Sequence, residues 1–148
     1  MAELTEISGK VRQYVKEHEE EFLGQFRHLH QHPELSFQEH ETTAYIKKKL
    51  EGWGIEILDI GLETGVVGLL KGGKEGPCIA LRADIDALPV LEESTSEYPS
   101  QNKGVMHACG HDCHASILLG AARLLKEQEK ELKGTVKLLF QAEEEAFI

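Results

Sequence analysis

Eight consecutive residues, His107-Ala108-Cys109-Gly110-His111-Asp112-Cys113-His114, hold three histidines, two cysteines and an aspartate. Imidazole nitrogen and thiolate sulfur together suit Zn²⁺ and similar borderline ions. Cys109 and His111 are separated by one glycine, so a loop can aim both side chains at one ion. If the segment leads into a helix, Cys109 lies near its N-terminus, where the thiolate that metals bind is favoured. The alternative is a polar loop with Asp112 as helix cap and inert thiols. Two acidic groups accompany this cluster. Asp84 and Asp86 are two residues apart and in an extended segment point to the same side. They form either a carboxylate pair or a hydrogen-bond network at the start of a loop. Glu143-Glu144-Glu145 follows an apolar stretch. Such a run is commonly a solvated surface, but its position straight after a strand makes it a candidate.

These groups need elements to position them. Ile7, Val11, Val15, Phe22, Phe26 and Leu29 recur at helical spacing and predict one long amphipathic helix from about residue 4 to 29. Pro33 ends it, because a residue before proline is pushed out of the α region. Ser36-Phe37-Gln38-Glu39 reads as a capping box, opening a second helix to about Leu50 that Gly52 and Gly54 close. Ile55, Ile57 and Ile60 suggest a short strand. Val66 to Lys71 and Cys78 to Arg82 read as two strands joined by Gly72-Gly73-Lys74-Glu75-Gly76, a hairpin signal. Residues 84–111 look irregular, and a loop of that length in a compact domain is usually functional. Asp112 then caps a third helix with Ile117, Leu118, Ala121 and Leu125 facing inward. Thr135 to Gln141 is a strand in which Val136, Leu138 and Phe140 alternate with other residues. The order α-α-β-β-β-α-β predicts an α/β fold, a mixed sheet covered by helices. In such sheets sites form beyond the carboxyl ends of strands, and the three candidate clusters fall where strands end or a helix begins.

The 148 residues suit one domain, 1–148, with no repeat, low-complexity segment or linker. A net charge of −10 argues against a nucleic-acid or anionic-membrane partner, which would need a basic face. No signal peptide is expected from the polar, acidic start, and no apolar run approaches the roughly 20 residues of a membrane span. A cytoplasmic location is therefore expected. The odd cysteine count, Cys78, Cys109 and Cys113, argues against a disulfide framework.

Three long segments carry a resemblance: Leu29-His30-Gln31-His32-Pro33-Glu34-Leu35-Ser36-Phe37, Leu81-Arg82-Ala83-Asp84-Ile85-Asp86-Ala87-Leu88-Pro89, and Gly104-Val105-Met106-His107-Ala108-Cys109-Gly110-His111-Asp112. In order and spacing they resemble the peptidase M20 amidohydrolases, in the branch of aminoacylases, hippurate hydrolases and plant auxin-conjugate hydrolases. The resemblance implies a zinc-exopeptidase-like catalytic domain with a site for two divalent ions (Zn²⁺, Mn²⁺, Co²⁺ or Ni²⁺). It also implies a smaller domain serving as lid and dimer interface. The family's cysteine and histidine ligands fall on Cys109 and His111. Its usual Phe-Gln-Pro-Ala-Glu-Glu-Gly run corresponds here to Phe140-Gln141-Ala142-Glu143-Glu144-Glu145-Ala146. Without a gap the general base is Glu144 and the metal ligand Glu145; with one residue lost they are Glu143 and Glu144. The ungapped choice needs no deletion. Asp86 matches a residue that orients ligands.

The implied reaction is hydrolysis of an N-acyl amino acid to a carboxylic acid and a free amino acid. The family's two further histidine ligands and its lid lie downstream and are not among these 148 residues. The chain is thus expected to be the N-terminal part of the catalytic domain, incompetent alone, with oligomerisation possible only through the missing domain. The competing readings are a non-catalytic metal-binding remnant and a Cys-His hydrolase using Cys109 as nucleophile.

Overall fold

The computed structural model describes residues 2–146, with side chains from residue 4. Its elements run α1 (Ala2–Glu17), α2 (Glu19–Gln31), α3 (His40–Gly52), β1 (Glu56–Ile57), β2 (Val66–Lys71), β3 (Lys74–Asp84), α4 (His111–Glu127) and β4 (Lys133–Gln141). The sheet order is β1-β2-β4-β3. β2 pairs antiparallel with β1 and β4, while β3 and β4 are parallel. This is the mixed sheet with helices expected from the element order. Period-two alternation sends Val136, Leu138 and Phe140 of β4 into the core and leaves Lys133, Lys137 and Gln141 exposed. There they meet Ile46 and Leu50 of α3 and Leu118, Leu119 and Ala122 of α4, all buried.

Four local expectations need correction. The long first helix is two helices, separated at His18, where φ −115° and ψ 16° depart from the α region and Nδ1–H shares the Tyr14 carbonyl (2.9 Å) with the backbone N–H. The hairpin is not formed, because β4 lies between β2 and β3. Gly72 and Gly73 instead carry the chain across the start of β4, donating to the carbonyls of Gly134 (2.8 Å) and Glu129 (2.7 Å). A Cβ at Gly72 would sit 2.3 Å from the Leu132 carbonyl oxygen, so only glycine fits this crossing. The N-cap of α4 is Gly110 rather than Asp112, which lies inside the first turn. The buried face of α4 runs through Ala115, Leu118, Leu119 and Ala122, so Ile117 is 65% exposed and Leu119 takes the inward place. The fourth correction, at Ser36, belongs to the site.

Candidate metal centre

Parallel pairing of β3 and β4 brings Asp84 level with Gln141, and Ile85 N–H donates to the Gln141 carbonyl (2.9 Å). The segments that follow, Ile85-Asp86 and Glu143-Glu144-Glu145, therefore leave the sheet at one end. The irregular segment from 85 to 110 returns the chain to that end. It is tied by bridges between Leu35 and Ala87 and between Leu88 and Met106. Gly110, at φ 99°, then turns it into α4. That conformation strains any residue with a Cβ, which explains a glycine between Cys109 and His111.

His111 is buried and carries the centre. Its Nδ1–H donates to the backbone carbonyl of Asp86 (2.9 Å), and Asp86 Oδ1 lies 3.2 Å from the same nitrogen. This fixes the tautomer and leaves the Nε2 lone pair free, the arrangement usual for a metal-binding imidazole. Nε2 faces Glu144 Oε2 at 3.8 Å and Glu145 Oε1 at 3.9 Å. Ligand atoms of Cys109, His111 and Glu145 all lie within 4.8 Å of one another, and so do those of Asp84, His111 and Glu144. Sequence reasoning does not single out Asp84 as a ligand; its spacing from Asp86 is the available signal. Arg82 holds it with Nη2 2.7 Å from Oδ1.

Glu143 belongs to neither group. It turns at φ 68°, and its N–H donates to Glu39 Oε1 (3.0 Å). His107 is buried and pushed down to about 4 by that burial, so it is neutral at pH 7. Cys113 and His114 are exposed at the start of α4, outside both groups.

Asp86 is 1% exposed and accepts from both the Ser36 hydroxyl (2.7 Å) and Glu145 N–H (2.8 Å) through Oδ2. Ser36 is thus no helix cap. Phe37 takes a left-handed φ of 64° and displaces the start of α3, whose N-cap is Glu39. Glu34 reaches forward instead, accepting the N–H groups of Glu41 (3.1 Å) and Thr42 (2.8 Å). On the far side of the cluster His30 Nδ1–H donates to Asp112 Oδ2 (2.7 Å), tying α2 to α4. Sequence reasoning missed Glu39 and His30 as contributors, since their partners are 104 and 82 residues away.

The donor set suits a divalent cation. The Glu145 carboxylate accepting from Cys109 pushes that thiol up, burial and the charges of Glu144 and Asp86 adding to the shift. Without a cation the acidic surroundings thus keep the sulfur protonated; a cation in the cluster reverses that preference. Asp86 Oδ1, Glu145 Oε1 and both His107 ring nitrogens have no hydrogen-bond partner among the described residues. Buried polar atoms are ordinarily satisfied, so this end of the sheet is built for something further. One imidazole lone pair serves one ion, so the two groups sharing His111 are alternatives, and the described residues complete one three-ligand set at a time.

Comparison with known proteins agrees with this geometry. The sequence model of peptidase family M20/M25/M40 matches residues 80–147. N-acetyl-L-cysteine deacetylase of Bacillus subtilis is 58% identical over 128 residues, covering 86% of this chain and 31% of that protein. N-acyl-L-amino acid amidohydrolase of Geobacillus stearothermophilus is 42% identical, covering 93% of this chain and 37% of that protein. The chain therefore spans about a third of the length of these relatives. Among solved structures, the YXEP protein of Bacillus subtilis, described as a dinuclear metal-binding peptidase, superposes with a TM-score of 0.85 at 50% identity, over 88% of this chain and 36% of that one. The family match begins within β3 and includes every residue of both candidate ligand groups, and the fold is that of a solved member; the chain belongs to peptidase family M20.

Proposed function

We propose that this chain supplies part of the site of a metal-dependent amidohydrolase that cleaves N-acyl amino acids into a carboxylic acid and a free amino acid. Residues 1–148 are then a portion of its catalytic domain. The observation that carries the reading is the buried His111, tautomer fixed at Nδ1, presenting Nε2 to Glu144 and Glu145 with Cys109 alongside. The names of the relatives point to the N-acyl amino acid as substrate.

Cys109, His111 and Glu145 would hold an ion; sulfur and imidazole together favour Zn²⁺, Co²⁺ or Ni²⁺ over Mn²⁺. Such an ion supplies Lewis acidity toward the scissile carbonyl and toward water. Glu144 has a side chain 38% exposed, in contact with both solvent and the cluster. It is placed to take a proton from attacking water and return it to the departing amine. Asp86 orients His111 through its carbonyl and the Glu145 backbone through its carboxylate. A second ion would need ligands beyond one three-residue set. The acidic surface suits a small-molecule substrate rather than a polyanion. Three exposed free cysteines fit a reducing cytoplasm; among the described residues no helix is long and apolar enough to cross a membrane.

A second reading, a metal-binding remnant without activity, is favoured by the described residues completing only one ligand set at a time. Two measurements separate the readings. Titration with Co²⁺ should raise a thiolate-to-metal absorbance that Cys109→Ser abolishes. Hydrolysis of N-acetyl and N-benzoyl amino acids should be EDTA-sensitive in a protein of the relatives' full length and weak or absent in the 148-residue chain. No cobalt-thiolate band would refute the ligand set. Robust EDTA-sensitive turnover by the 148 residues alone would refute the incompleteness, and a metal-loaded full-length protein inert on every substrate would favour the remnant.

A further inference from the structure

We propose that Glu39 is a positioning residue of this centre: its buried carboxylate sets the backbone turn at Glu143 that delivers Glu144 and Glu145 to His111. The inference rests on the metal-site reading above and adds a residue to it.

Glu39 has no exposed surface, although it stands at the N-cap of α3, a position normally open to water. It makes no side-chain cap to its own helix. Oε1 accepts Glu143 N–H (3.0 Å) across 104 residues of sequence, and Oε2 has no well-formed hydrogen bond among the described residues. Burial pushes the carboxyl above its ordinary range; its own N–H, that of Glu143 and the nearby Thr64 hydroxyl pull it back only in part. A buried carboxyl without a cation is costly.

The cost is matched to a need at Glu143. This residue takes φ 68°, a left-handed conformation uncommon for a residue with a side chain. Something must hold it there, and the Glu39 bond does so from one side. Two residues later Glu145 N–H is held by Asp86 Oδ2 (2.8 Å). Two buried carboxylates thus grip the first and third amides of the Glu143-Glu144-Glu145 turn. Gly65 makes the opposite wall: a Cβ there would meet the Phe140 carbonyl oxygen at 3.0 Å and Ala142 nitrogen at 3.5 Å. Gly65 N–H itself donates to Thr43 Oγ1 of α3 (2.9 Å), so the same helix braces both sides of the turn. With its amides fixed, the turn directs Glu144 and Glu145 toward the one free nitrogen of His111.

The test uses Glu39→Met, which fills the volume without an acceptor, and Glu39→Gln, which keeps an accepting oxygen. Neither alters a side-chain cap, because Glu39 makes none. Amide hydrogen exchange in the metal-free chain reads the clamp directly. Glu39→Met should speed exchange at Glu143 by roughly tenfold or more while the β4 amides of Val136 and Leu138 stay protected. Glu39→Gln should restore protection. Co²⁺ affinity should fall by about 10–100-fold in Glu39→Met, the usual loss when a ligand's supporting partner is removed, and recover in Glu39→Gln. Unchanged exchange at Glu143 in Glu39→Met would overturn the clamp. Faster exchange with unchanged Co²⁺ affinity would overturn the positioning role. If the unsubstituted chain bound no Co²⁺, the metal reading would fail, and the exchange arm would still decide whether Glu39 sets the turn.

Discussion

The substitution Asp86→Asn tests how the centre is held together. The carboxylate is buried, and Oδ2 accepts from Ser36 and from Glu145 N–H while Oδ1 faces His111 Nδ1 at 3.2 Å. An asparagine there would keep one accepting oxygen. If that oxygen stays with the two donors, its NH₂ group is turned toward the Nδ1–H of His111, donor against donor. A hydrogen bond to a charged group contributes about 1.5–3 kcal/mol, against about 0.5–1.5 for a neutral pair. Two such bonds therefore lose roughly 2 kcal/mol, a factor of about 30 in the folding equilibrium. Asparagine removes the burial cost of a charge, which offsets part of this, so the loss is greatest if the pair of bonds dominates. Urea denaturation of the metal-free chain should show a lower midpoint with an unchanged slope. Co²⁺ titration should show affinity reduced by about 10–100-fold, because an NH₂ group set against Nδ1–H disturbs the ring orientation that the Asp86 backbone carbonyl fixes, and the Glu145 amide loses its charged acceptor. A variant as stable as the parent, binding Co²⁺ equally well, would show that Asp86 only fills space beside His111 and would refute this account of the centre.

Two further predictions concern the frame around the site. Gly134→Ala should destabilise the chain by more than about 2 kcal/mol or prevent folding, since φ is 84° and a Cβ would fall 1.9 Å from the Pro77 carbonyl oxygen; Gly104→Ala, at φ 83° with open space around it, should cost only about 1–2 kcal/mol in the same melt. For His30, burial pushes the imidazole down, but hydrogen bonds to Asp112 and Glu92 outweigh it and the net shift is upward from 6.5. The stability it contributes is then fully present below its unfolded value and lost as pH rises through its raised folded value; His30→Gln should flatten that part of a urea-monitored pH profile, and a parent curve no steeper than the variant's would refute the assignment.

Much of this protein was legible along the chain. The alternation of Val136, Leu138 and Phe140 marked β4, and both faces of that reading hold. Cys109, Gly110 and His111 lie so close together that their common site needed no long-range information, and apolar strands ahead of Asp84 and Glu143 marked where the acidic groups would emerge. What failed depended on which element each strand or cap meets. Val66 to Lys71 and the following strand have the local signature of a hairpin, since glycines between two apolar runs read the same whether the strands pair or part. Only the insertion of β4 between them decides it, and that requires contacts across some 70 residues. Ser36 satisfies the spacing of a capping box, but the left-handed Phe37 diverts its hydroxyl to Asp86, 50 residues away. The supports of the centre, Glu39 on Glu143 and Asp86 on Glu145, are buried hydrogen bonds between segments far apart in sequence. Local propensity and periodicity depend on neighbours within a few residues, so they determine the elements and the chemical groups at their ends; which buried carboxylate meets which amide is decided only when the sheet order closes the chain on itself.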